Sequence, residues 1–81
     1  MFYVYILESV DNAEKHYLGY SANLKSRFSS HNEGRNQSTK HTKWKIIYYE
    51  AYEIEALARK REASLKRNPN MRKLLMKRLK G

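Results

Sequence analysis

Arg27 and His31, four residues apart, are the pair in this 81-residue chain best suited to chemistry at a phosphate. At helical spacing both side chains leave the same face. Arginine presents a planar fork of N–H donors that fits phosphate oxygens, and it stays charged as negative charge builds up in a transition state. Histidine can hold the phosphate or move a proton near neutral pH. Tyr5 and Tyr17 add hydroxyls able to orient or deprotonate a water. A phenol of ordinary pKa, near ~10, is a weak base unless a metal or cationic neighbours lower it. Glu62 supplies one carboxylate among Arg59, Lys60, Arg61, Lys66 and Arg67. A single carboxylate can hold Mg²⁺ or Mn²⁺ when waters and a substrate phosphate complete the shell. Glu55 is a weaker candidate for that role. Together the set suits hydrolysis of a phosphodiester with one divalent ion.

Each of these residues has a plainer reading. Arg27 can lie along a helix surface and His31 can be a hydrogen-bonded core residue. The tyrosines, among seven in the chain, can be packing residues of strands. Glu62 can pair with Lys66 one helical turn on, an arrangement worth little energetically.

The elements that must position these side chains follow from local pattern. Phe2 to Leu7 is aromatic and β-branched, and reads as a strand with Tyr3, Tyr5 and Leu7 on one face and Phe2, Val4 and Ile6 on the other. A polar turn around Asp11-Asn12 leads to a returning strand, His16 to Tyr20, with Tyr17 and Gly19 on one face and Leu18 and Tyr20 on the other. In the simplest hairpin register Tyr5 and Tyr17 face one another. Ser21 or Asn23 can cap a helix reaching about Asn32, with Gly34 as terminator and Leu24, Arg27, Phe28 and His31 on one side. A polar loop spans Glu33 to Lys43, and a third strand spans Lys45 to Tyr52. A second helix covers Ile54 to Arg67 with an apolar stripe of Ile54, Leu57, Ala58 and Leu65. Pro69 opens a third helix, whose apolar side is Met71, Leu74, Leu75 and Leu79. The expected class is α+β, a three-stranded antiparallel sheet flanked by helices in the order β-β-α-β-α-α. A single domain over 1–81 is expected, because neither a repeat nor a linker divides the chain.

Charge locates the partner. Residues 1–58 hold seven basic and seven acidic side chains, whereas 59–81 hold ten basic residues and only Glu62, so the whole excess of +9 lies in the last quarter. Such a footprint suits nucleic acid, with Lys66, Arg67, Arg72 and Lys73 as candidate backbone contacts. A basic amphipathic helix on an anionic membrane is the competing reading of that segment. The absence of cysteine excludes disulfides and thiolate zinc sites, and His16, His31 and His41 lack the spacing of a helical zinc pair. The N-terminal MFYVYILES has neither a basic leader nor a long apolar run, so a cytoplasmic protein with no membrane partner and no small-molecule cofactor is expected.

Taken together, the residues resemble the GIY-YIG nuclease superfamily, and most closely its small single-domain bacterial type (UPF0213-like). Tyr3-Val4-Tyr5 stands at the GIY element and Tyr17-Leu18-Gly19 at the YIG element. Ser21-Ala22-Asn23-Leu24-Lys25-Ser26-Arg27 is similar to the helix with the family's arginine, and His31-Asn32 follows it. Ser38-Thr39-Lys40 and Trp44 to Glu50 are similar to the loop and third strand, and Ala56 to Glu62 to the helix with the metal-binding glutamate. Tyr3 replaces the motif glycine and Leu18 the isoleucine. The resemblance implies metal-dependent cleavage of DNA. Tyr5 and Tyr17 would orient or activate water, Arg27 would stabilise the phosphorane, His31 would assist, and Glu62 would bind one Mg²⁺ or Mn²⁺. Larger relatives carry added DNA-recognition domains. Here branched DNA, single strands or ends are therefore the expected substrates, in DNA repair or processing, with specificity from a protein partner as an option. The alternatives are a non-catalytic nucleic-acid-binding module and a basic adaptor for a protein or membrane.

Overall fold

The computed structural model describes residues 1–33 and 42–79. Its elements are β1 (Phe2–Ser9), β2 (His16–Ser21), α1 (Leu24–Asn32), β3 (Trp44–Tyr52), α2 (Glu55–Arg67) and α3 (Pro69–Leu79). The class and order match those expected from the sequence. The expected terminator Gly34, the Ser38-Thr39-Lys40 stretch, His41 and most of the polar loop lie outside the described residues.

The sheet is antiparallel in the order β2-β1-β3, so β1 is central and must be apolar on both faces. Its alternation divides the core in two. Val4 and Ile6 pack with Ala58, Leu65 and Leu75 on the α2/α3 side, while Tyr5 and Leu7 pack with Trp44, Leu24 and Phe28 on the α1 side. Between Ile6 and Leu7 the pairing with β3 slips by one residue, Ile6 opposing Tyr48 and Leu7 opposing Ile46. This bulge leaves Ile47 unpaired and resets the face of everything before it. Trp44 and Ile46 thereby join the α1 side, while Ile47, Tyr48 and Tyr52 pack on the other.

α1 is capped by Asn23, whose side chain accepts from the Ser26 amide at 3.1 Å. Ser21 fixes the approach, its hydroxyl accepting from Asn23 N and donating to Asn23 O, both at 2.9 Å. At the other end Asn32 grips β3. Its amide donates to Trp44 O at 3.1 Å and its carbonyl oxygen accepts from Trp44 N at 2.6 Å.

Two expected apolar stripes need correction. Ala58 and Leu65 are buried, but Ile54 and Leu57 are 57% and 49% exposed. Ile54 is the residue before the first helical one, and Leu57 sits about 100° around the helix from Ala58. Arg61, on the β3 side of the stripe, fills the contact instead. Its guanidinium donates twice to Glu50, at 2.9 Å from both Nε and Nη2, and Glu50 also accepts from the hydroxyls of Tyr48 (2.5 Å) and Tyr52 (2.6 Å). On α3, Leu75 is buried with Met71 and Met76 beside it, whereas Leu74 and Leu79 stand outward. Leu74 again lies about 100° from the buried line.

Candidate active site

Gly19 is the floor of the site. It lies opposite Tyr5 in the hairpin, and Tyr17 lies opposite Leu7. The two tyrosines are therefore diagonal neighbours, not the directly facing pair expected from the simplest register, with ring centroids 6.4 Å apart. Both rings lean over Gly19. A Cβ there would run into the hydroxyl and Cζ of Tyr5 and would reach Cε1 of Tyr17 at 2.9 Å.

α1 delivers the rest. His31 is fully buried, with its ring centroid 4.6 Å from Tyr17 and its Nε2 2.9 Å from the hydroxyl of Tyr5, which is itself fully buried. Burial, helped by the Arg27 charge, lowers the His31 pKa, so the ring is neutral at pH 7. Burial also pushes the Tyr5 hydroxyl up to about 12, against the opposing hydrogen bond from Arg27. Tyr5 thus keeps its proton at neutral pH. Hydrogen bonding to Tyr5 in turn raises the Arg27 pKa, and Tyr17 adds to this. One atom of that arginine is left over. Arg27 Nε is buried with no hydrogen-bond partner among the described residues. A buried N–H without an acceptor is costly, and an anion at this point would relieve it.

The remaining candidates come from the other side of the sheet. Glu62 projects from α2 with a side chain 22% exposed, pairs with Lys66 at 3.4 Å, and acts electrostatically on the Tyr5 hydroxyl. No cluster of three or more His, Cys, Asp or Glu that could hold a metal occurs among the described residues. Glu62 as the one carboxylate nonetheless fits a hard ion whose other positions belong to water and phosphate. Glu55 is already engaged, accepting from the Tyr20 hydroxyl at 2.7 Å and pairing with Arg59 at 3.5 Å.

The four basic candidates differ in how they are held. Arg67 donates back to Ala63 O at 3.3 Å. Arg72 closes the end of α2 by donating from Nη1 to Leu65 O (2.8 Å) and Lys66 O (2.5 Å). Lys66 and Lys73 line an open groove between β2 and α3.

Sequence reasoning missed four contributors. Gly19 entered only as a motif letter, though the two rings that would cover it were on the same strand faces. Asn32 holds α1 to Trp44 one residue beyond His31. Glu50 and Arg61 fix α2 to the sheet next to Glu62, and their pairing across eleven positions leaves no local signal.

Comparison with known proteins gives a consistent picture. Residues 1–74 match the GIY-YIG catalytic domain. A UPF0213 protein of Streptococcus pyogenes serotype M3 is 35% identical over 69 residues, covering 80% of this chain and 71% of its own length. A UPF0213 protein of Staphylococcus haemolyticus is 33% identical over 78 residues, covering 91% and 90%. No solved structure matches the chain. Among the described residues no helix is long and apolar enough to cross a membrane.

Proposed function

The chain belongs to the GIY-YIG family, and from that premise we propose that it is a divalent-metal-dependent nuclease hydrolysing DNA phosphodiester bonds at the Tyr5–Tyr17–Arg27–His31 cluster. The observation that carries this reading is the buried, unpartnered Nε of Arg27, on a guanidinium whose charge the Tyr5 and Tyr17 hydroxyls favour. A purely packing arginine would have its donors satisfied or in water.

In this mechanism a phosphate oxygen meets Arg27, whose charge is matched to the extra negative charge of the pentavalent transition state. Tyr17 orients the attacking water. It is the less buried of the two tyrosines, and it also lines the groove beside β2. The water oxygen bonds to phosphorus as the bond to the leaving oxygen breaks; the water gives up a proton to solvent and the leaving oxygen takes one up, so the products are a phosphomonoester and an alcohol. The Tyr5–His31 pair holds the α1 side of the site in register and keeps its proton through the step. A bound Mg²⁺ or Mn²⁺ at Glu62 would supply charge neutralisation at the phosphate oxygens. The chain acts as one domain in the cytoplasm, on structured DNA or ends in place of a base sequence, in DNA repair or processing.

The test is cleavage of end-labelled single-stranded, duplex, flap and four-way-junction DNA with Mg²⁺, Mn²⁺ or EDTA, using wild type beside Glu62→Gln. Metal-dependent cutting that disappears in the variant supports the reading. Binding without cutting, identical in both proteins, supports the non-catalytic module.

A further inference from the structure

Each carboxylate oxygen of Glu50, on β3, receives one N–H of the Arg61 guanidinium and one tyrosine hydroxyl. Oε1 takes Arg61 Nε at 2.9 Å and the Tyr52 hydroxyl at 2.6 Å, and Oε2 takes Arg61 Nη2 at 2.9 Å and the Tyr48 hydroxyl at 2.5 Å. The side chains of Glu50 and Arg61 are only 14% and 30% exposed, so the pair is largely shielded from water. Arg61 stands on α2 immediately before Glu62.

α2 rests on the sheet along one buried line, Ala58 and Leu65. A single line of contact lets a helix roll about its own axis. At about 100° per residue, Arg61 stands about 60° to one side of Ala58 and Glu62 about 40° to the other. The Arg61 fork therefore holds one flank of the helix and sets where the carboxylate on the other flank lies. With side-chain tips about 5–6 Å from the axis, a roll of about 20° would carry the Glu62 carboxylate about 2 Å. A Mg²⁺–oxygen bond of about 2.1 Å tolerates a small fraction of that. Two N–H groups on the two oxygens of one carboxylate fix orientation as well as distance, which a single ammonium cannot do. We propose that Glu50 and Arg61 are positioning residues for the divalent ion, their fork holding α2 at the roll that presents Glu62 to the metal. The inference rests on the reading of Glu62 as metal ligand, and its test reads metal binding in the absence of DNA.

Mn²⁺ is titrated into ¹⁵N-labelled protein, and paramagnetic broadening of the amide signals of residues 61–63 is followed by NMR. Four proteins are compared: wild type, Glu62→Gln, Arg61→Met and Arg61→Lys. Local broadening is expected in wild type and absent in Glu62→Gln. Arg61→Met should need about tenfold or more Mn²⁺ for the same broadening, the scale on which outer partners of a metal ligand act. Electrostatics alone predicts the opposite sign, because this variant removes a positive charge beside Glu62. Arg61→Lys, which keeps the charge and loses the fork, should fall between wild type and Arg61→Met. Folded and unfolded molecules give separate signals, so lower stability by itself leaves the required Mn²⁺ concentration unchanged. Broadening of Arg61→Met at the wild-type concentration or below overturns the positioning role and leaves Glu62 as ligand. Should Arg61→Met fail to fold, a wild-type response from Arg61→Lys overturns it equally. Broadening that survives Glu62→Gln has a different signature: it removes the metal site itself, and the positioning role with it.

Discussion

Replacing Gly19 by alanine adds one methyl group, yet the structure gives it nowhere to go. The new Cβ overlaps the hydroxyl and Cζ of Tyr5 and crowds Cε1 of Tyr17. Tyr5 cannot swing aside freely, because its ring is fully buried and its hydroxyl is 2.9 Å from His31 Nε2. Overpacking of this kind costs about 1–3 kcal/mol, and a lost buried hydrogen bond adds about 1 kcal/mol. The expected destabilisation is therefore about 2–4 kcal/mol, against a total of about 4–12 kcal/mol for a domain of this size. Urea denaturation of wild type, Gly19→Ala, Tyr5→Leu and the double variant measures it. Once the phenol ring is gone the methyl has room, so Gly19→Ala should cost less than about 1 kcal/mol in the Tyr5→Leu background. Additive costs in the two single variants would refute the steric argument.

Three further outcomes follow from the same geometry. Tyr5 in the folded chain holds its proton up to about 12, above the ordinary 10.0, so stability is full below pH 10 and falls as pH rises from there towards 12. Two pKa units correspond to about 3 kcal/mol, so alkaline unfolding of Tyr5→Phe should show a shallower fall, with Tyr52, also pushed up to about 12 by burial and Glu50, retaining part of it. Glu50 is held below its ordinary range in spite of burial, which raises it, by Arg61 and the two tyrosine hydroxyls. Its contribution is thus present above 4.5 and lost as pH falls through its folded value. Arg61→Met should cost about 2–3 kcal/mol by thermal unfolding at neutral pH and less under acid conditions, because the carboxylate left behind can then be protonated. Asn32→Ala removes both hydrogen bonds to the Trp44 backbone, and should lower the rate of DNA cleavage about tenfold by loosening the end of α1 that carries His31.

Local chemistry revealed most of this fold. The aromatic runs of β1 and β2 alternate with period two, and their faces came out as the pattern requires, because β1 is central and β2 pairs with it without a slip. α1 announced itself by Asn23 and by the spacing of Leu24, Arg27, Phe28 and His31, so the cluster could be assembled before any geometry was known. What stayed hidden depends on partners distant in sequence. The slip at Ile47 that brings Trp44 under α1 has no mark in the composition of β3. Leu57 and Leu74 fit an apolar stripe by type, but a three-stranded sheet is too narrow to cover them, and Arg61 takes the vacated contact because Glu50 lies opposite. The diagonal placement of Tyr5 and Tyr17 depends on which residue of β2 the turn sets against Tyr5. Here that residue is the glycine both rings need.

The central claim is that Arg27 meets the phosphate in the transition state. Single-turnover cleavage of one metal-supported DNA substrate by wild type, Arg27→Ala and Arg27→Lys tests it most directly, with DNA affinity and unfolding measured in parallel. Loss of this group should slow the cleavage step by about 10²–10³-fold in Arg27→Ala. Arg27→Lys should fall between the two, since it keeps the charge and loses the fork, and DNA affinity should change by less than about tenfold in both variants. Cleavage by Arg27→Ala at the wild-type rate, in protein purified free of other nucleases, would contradict the account.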